Sequence, residues 1–208
     1  MNIQKLKDQE VRFLLTYPGG FKNHRMEEIA KKHNVPRLVK MVEEELTKEV
    51  FKYPEEAIEI ILKIIKRSSL ISIFEKTAFK NMLVELDPVE RIELPMAFKE
   101  LLYGSQVLGF QRLAEVLGRH KNAKWPVMTG LLYYANPSVE VLIKPTTVKA
   151  VIQYFELEGL KYTPKPNYEF YSQYREKINQ LKGLAAPELQ VDNAAFGGFL
   201  MFAVGLFE

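Results

Sequence analysis

No cysteine occurs among the 208 residues, which removes disulfides, thiolate nucleophiles and cysteine-ligated zinc as explanations of what this chain does. Aspartate and histidine are nearly as scarce. The three aspartates, Asp8, Asp87 and Asp192, lie far apart at expected helix ends. The three histidines, His24, His33 and His120, show no ligand spacing, and the expectation for each is a structural or surface role. A two-metal hydrolase draws on several clustered carboxylates and histidines, and this chain would have to assemble them from glutamates. Also missing are a G-x-G-x-x-G turn, a phosphate loop ending in Gly-Lys-Ser/Thr, a G-x-S-x-G elbow and an H-E-x-x-H helix. The sequence predicts no cofactor, no metal and no catalytic residue. An enzyme would need a pocket of Tyr, Glu and Lys drawn from distant segments.

Long apolar runs are absent too. The longest, Ala194 to Phe207, has 14 residues, about 21 Å as a helix against the ~30 Å of a bilayer core. The first residues, MNIQKLKDQEVRFLL, are charged every second or third position, unlike a secretory signal. These features predict a cytoplasmic chain with no membrane partner. Net charge is only +3, from 29 basic and 26 acidic side chains, too mild by itself to imply a polyanion.

What is present is helical periodicity, interrupted by Pro, Gly and Asn at short intervals. Helices are expected from Ile3 to Thr16, from Met26 to His33, after Pro36, and from Pro54 to Arg67. In the last of these Glu55 and Glu56 suit the positive dipole end, and Lys66 and Arg67 the negative one. Further helices are expected over Ile73–Leu83, Pro88–Tyr103, Ser105–Leu117, Trp125–Ala135, Thr146–Leu157 and Asn167–Leu181, with a last one beginning near Asp192 or Asn193. Gly159 is the expected C-cap of the Thr146 helix. Val139–Ile143 is the one credible strand. The fold class is all-α: a compact array of ten or eleven short-to-medium helices, in the manner of stacked hairpins, with at most one short strand. No repeat of fixed period is present. Residues 1–208 read as a single domain, with 68–72 the one place where a minor subdivision is conceivable.

Residues Met26 to Val35 resemble the first helix and turn of a DNA-reading helix-turn-helix, with Ala30 at the close helix contact and Asn34 at the positive-φ turn. The second helix departs from that pattern. Lys40 stands where an inward β-branched residue belongs, and Glu43, Glu44 and Glu45 would face phosphate. An ordinary antiparallel helix pair in the core is the better expectation.

The strongest local bias lies between Trp125 and Lys182, which holds seven of the ten tyrosines and the only tryptophan. Lys121 to Lys182 also carries nine Lys/Arg against five Glu. Tyrosine interleaved with Lys and Arg suits a single-stranded nucleic acid or a phosphorylated ligand. On the helix from Asn167, Phe170, Tyr174, Ile178 and Leu181 form a core stripe, with Tyr168, Tyr171, Arg175 and Lys182 along its flank. Upstream, Lys144, Thr146, Thr147 and Lys149 surround a helix N-terminus that would hold an anion. The candidate binding residues are therefore Lys144, Thr146, Thr147, Lys149, Lys165 and Arg175 with Lys182 for phosphate, and Tyr168 and Tyr171 for stacking. The plain alternative is that the tyrosines are core and the threonines N-caps.

The segment from Asn193 to Phe207 has no polar face. It is expected either to thread the middle of the protein or to form the contact of a homodimer. The leading functional expectation is a non-enzymatic helical binding domain, with a self-associating interaction module as its rival.

Overall fold

Polar side chains start most of the helices. Asn2, Asn23, Ser72, Ser105, Asn167 and Asp192 each accept a hydrogen bond from a backbone N–H two or three residues ahead, satisfying donors that the first turn leaves open. The computed structural model describes residues 1–207 and contains α1 (Ile3–Thr16), α2 (His24–His33), α3 (Val35–Glu45), α4 (Pro54–Arg67), α5 (Ile73–Glu85) and α6 (Glu90–Tyr103). It continues with α7 (Gln106–Arg119), α8 (Trp125–Ala135), α9 (Pro145–Tyr154), α10 (Tyr168–Leu184) and α11 (Asn193–Ala203). Short 3-10 turns occupy Gly20–Lys22, Val50–Lys52 and Pro187–Leu189. No strand occurs among the described residues, and none of their helices is long and apolar enough to cross a membrane.

The centre of the molecule is α8. Every residue from Trp125 to Tyr134 is buried, and α3, α4, α6 and α7 pack around it. The C-terminal apolar helix is also covered, with no residue from Asn193 to Ala203 exposed, and packs on α1 and α9. The period of α8 is equally apolar all round, and it has more elements to lie between. The buried side chains form one continuous cluster from Leu6 to Ala203. At 68–72, where a minor subdivision is conceivable, Ser68 is buried and its hydroxyl meets the Tyr134 hydroxyl at 2.6 Å.

Two departures have clear causes. Val139–Ile143 is extended but pairs with no strand, because side chains take its backbone bonds. Asn179 and Asn193 donate to Val139 O at 2.8 and 2.9 Å, Asn193 also reaches Glu140 O at 3.1 Å, and Ile143 N donates to Thr129 Oγ1 at 3.1 Å. The helix expected to run to Leu157 stops at Tyr154, where Phe155 caps it and Glu156 takes the positive φ of 52°. Gly159, at φ 81°, serves the turn after that.

Asn34 does adopt the left-handed conformation, at φ 48°. However, α3 packs on α8 and α4 rather than pairing closely with α2. Ala30, expected at a tight helix contact, is exposed and touches the edge of a cavity. The tightest helix contact lies elsewhere. α6 and α7 cross so closely that a Cβ on Gly109 would sit 2.2 Å from the Leu101 backbone nitrogen.

Candidate functional site

The flank of α10 that the sequence offered as a ligand groove is covered. The chain from Ser138 to Glu140 and the start of α7 dock onto it. Tyr171 is 0% exposed; its ring stacks on Phe110 at 5.6 Å and its hydroxyl donates to Glu140 Oε2 at 2.6 Å. Arg175 Nη1 donates to both Glu140 oxygens, at 2.9 and 2.8 Å, and to Gln106 Oε1 at 2.8 Å. Gln106 Nε2 completes the cluster by donating to Glu140 Oε1 at 2.8 Å. Glu140 is 5% exposed, so this is a buried, fully occupied carboxylate. Burial, reinforced by the Glu140 charge, holds the Tyr171 phenol well above its ordinary pKa.

Tyr168 is half-buried, with its hydroxyl directed to Gln106 Oε1 at 3.3 Å. Lys182 donates to Ser138 O at 2.7 Å. Tyr171, Arg175 and Lys182 are therefore struts between segments. Tyr171 has no face for a base, and the charge of Arg175 is matched internally.

The remaining predicted residues part company around α9. Thr146, Lys149 and Lys165 are exposed, and Lys149 lies over the Tyr162 ring at 5.0 Å. Lys144 and Thr147 are half-buried and turn instead to a cavity of about 450 Å³. No side-chain cap closes α9 at Lys144.

This cavity joins parts of the sequence that gave no sign of meeting. α2 contributes Met26, Ile29 and His33; α8 and α10 contribute Tyr133 and Tyr174; α11 contributes Gly197, Gly198 and Met201; and Leu206 and Phe207 fold back over it. The lining is largely apolar, in the size range of small-molecule sites. The apolar tail thus has two covered sides. Phe196, Phe199 and Leu200 enter the core, and the glycine side faces the cavity. No residue from Asn193 to Val204 is exposed, so the tail does not present the open patch that the dimer expectation requires. Gly197 leaves space, since a Cβ there would meet nothing within 4 Å, whereas a Cβ on Gly198 would meet the Phe207 ring at 3.6 Å.

Few polar groups reach the cavity, and they are separated. Tyr133 and Tyr174 are each 4% exposed and line the cavity, and no side chain or carbonyl among the described residues bonds either hydroxyl, whereas the fully enclosed unpartnered polar atom of the lining is Asn193 Oδ1. Burial raises both phenol pKa values, so both are neutral donors. His33 Nδ1 lies 2.9 Å from Ser69 Oγ. Burial first, then the charges of Lys144 and Lys32, hold the His33 pKa below its ordinary 6.5. Asp192 is engaged elsewhere. It caps Ala195 N at 2.8 Å, and its charge acts on Tyr133 and Lys182.

Sequence reasoning missed His33, Tyr133, Tyr174 and Met201 as neighbours. The one local signal was the Gly197-Gly198 pair inside an otherwise bulky apolar helix. Among the described residues no three acidic or histidine side chains come close enough to hold a metal ion. Comparison of the chain with protein-family models, with curated proteins and with solved structures returns no match.

Proposed function

We propose that this chain is a cytoplasmic binding protein that takes one apolar small molecule into the cavity between α2 and α11. The observation that carries the reading is the pair Tyr133 and Tyr174. Both hydroxyls belong to side chains more than nine-tenths buried at a largely apolar cavity, and neither has a partner within the chain. Both hydroxyls are free to bond whatever fills the cavity, so a ligand that offers an acceptor there is held in a fixed orientation. Apolar walls with a few fixed polar groups are the usual build of a ligand site.

Gly197→Leu provides the test. The site is helical and has open space, so the substitution fills the cavity without backbone strain. Titration with the neutral fluorophore N-phenylnaphthylamine should give saturable enhancement with the natural protein and none with the variant. Equal enhancement with both, or none with either, sinks the reading.

A second reading is a phosphorylated ligand or single-stranded nucleic acid on the outer side of α9. It is favoured by the exposure of Thr146, Lys149 and Lys165. Fluorescence anisotropy with labelled single- and double-stranded oligonucleotides at low and raised salt tests it. Binding that weakens steeply with salt and with Lys149→Ala supports this reading, and no binding at low salt removes it.

A further inference from the structure

We infer that the ligand of this cavity is a monoanion, a single-chain carboxylate of medium length, with its head on Lys144 and Thr147 and its tail along Gly197 and Gly198. This rests on the small-molecule reading above and specifies the ligand class.

Charge makes the first argument. Lys144 lines the cavity and is half-buried, and no carboxylate is within ion-pair distance of it among the described residues. A partly desolvated cation without a counter-ion is costly, and an anion at that place relieves the cost. The neighbouring group adds to this, since His33 feels the positive charges of Lys144 and Lys32 and not the negative charge of Asp192. The Lys144 end is therefore electropositive. With His33 neutral, the lining supplies one full positive charge there, which matches a carboxylate better than a doubly charged phosphate.

Hydrogen bonding makes the second. Lys144 and Thr147 sit at the start of α9, whose helix has no side-chain cap. The backbone N–H groups of Thr146 and Thr147 have no acceptor among the described residues, whereas Val148 N already bonds Lys144 O at 2.9 Å. Open donors at the positive end of a helix dipole favour an anion. The hydroxyls of Tyr133 and Tyr174, bonded to nothing else among the described residues, add two further donors to the same cavity.

Size makes the third. At about 450 Å³ the cavity lies at the lower end of the range of small-molecule sites, which suits a single medium-length chain with its head.

The experiment is calorimetric titration of the full chain with dodecanoate, dodecanol and dodecyltrimethylammonium, which share a tail and differ in the charge of the head. Dodecanoate should bind about tenfold tighter than dodecanol, the factor one charge-assisted hydrogen bond supplies. Lys144→Met should bring the ratio of the two affinities close to one. Thr147→Val, a nearly isosteric change, should lower the same ratio and provides the readout if Lys144→Met fails to fold. Equal binding of dodecanoate and dodecanol overturns the monoanion and leaves the cavity reading standing, as does a preference that survives both variants. Tightest binding of dodecyltrimethylammonium moves the head to Asp192 and also overturns it. No binding of any of the three overturns both.

Discussion

Arg175→Ala decides whether this residue faces a ligand or braces the fold. As a solvated phosphate contact it would cost less than about 0.5 kcal/mol of stability. In the structure it lies against a buried carboxylate, with Nη1 donating to both Glu140 oxygens and to Gln106. Removing one partner of a buried ion pair costs about 3–5 kcal/mol, because the other charge is left behind. The low end applies here, since Glu140 keeps donors from Tyr171 at 2.6 Å and Gln106 at 2.8 Å. A loss of about 3 kcal/mol in a chain of this length lowers the melting temperature by roughly 6–12 °C. Calorimetry on the natural protein, Arg175→Ala and Lys149→Ala is the assay, the exposed Lys149 serving as the surface reference. Adding Glu140→Gln to Arg175→Ala should restore part of the loss by removing the stranded charge. A melting point for Arg175→Ala within about 2 °C of the natural protein would refute the strut and return Arg175 to the surface.

Three further outcomes follow from particular contacts. Gly109→Ala places a Cβ 2.2 Å from a backbone nitrogen that cannot yield; the overpacking outweighs the gain in helix propensity, and urea denaturation should show a net loss of about 2 kcal/mol or more. Gly197→Leu has the opposite sign: with open space at its Cβ it should raise stability by about 0.5 kcal/mol while abolishing ligand binding. His33 sets a pH dependence. Its folded pKa is depressed below 6.5 by burial, Lys144 and Lys32, so the unfolded chain takes up the proton first as pH falls. Its contribution is fully present above 6.5 and is lost as pH falls toward the lower folded value. Denaturation at about pH 7.5 and about pH 5.5 should show a smaller drop in His33→Gln than in the natural protein; an equal drop contradicts the assignment.

Much of the framework was legible because it is local. Asp192 caps the last helix, Asn34 takes the left-handed turn and Pro54 opens α4, as their chemistry demands. The Phe170, Tyr174, Ile178 and Leu181 stripe is buried, as its 3.6-residue period predicts. What failed was the fate of the flank beside it. Period locates the side of α10 next to the core, but not that Glu140, 35 residues earlier, comes to neutralise Arg175. The strand at Val139–Ile143 failed for the same reason, since distant asparagines meet its carbonyls. That α8 has the most helices around it was not legible, because α8 and α11 are both apolar on all sides and only packing ranks them. The cavity was illegible in a deeper way. It exists where Gly197 and Gly198 have no side chain, between α2 and α11, and empty space leaves no pattern in a sequence.

The central claim is that the space beside α11 is a ligand site. Methionine-methyl NMR tests it most directly, because only Met26 and Met201 of the seven methionines line the cavity. Titration with N-phenylnaphthylamine, whose rings shift nearby methyl resonances, should move those two saturably and leave Met41, Met82 and Met128 in place. Shifts confined to other methionines, or no shift at a concentration where fluorescence reports binding, would put the ligand elsewhere and contradict the account.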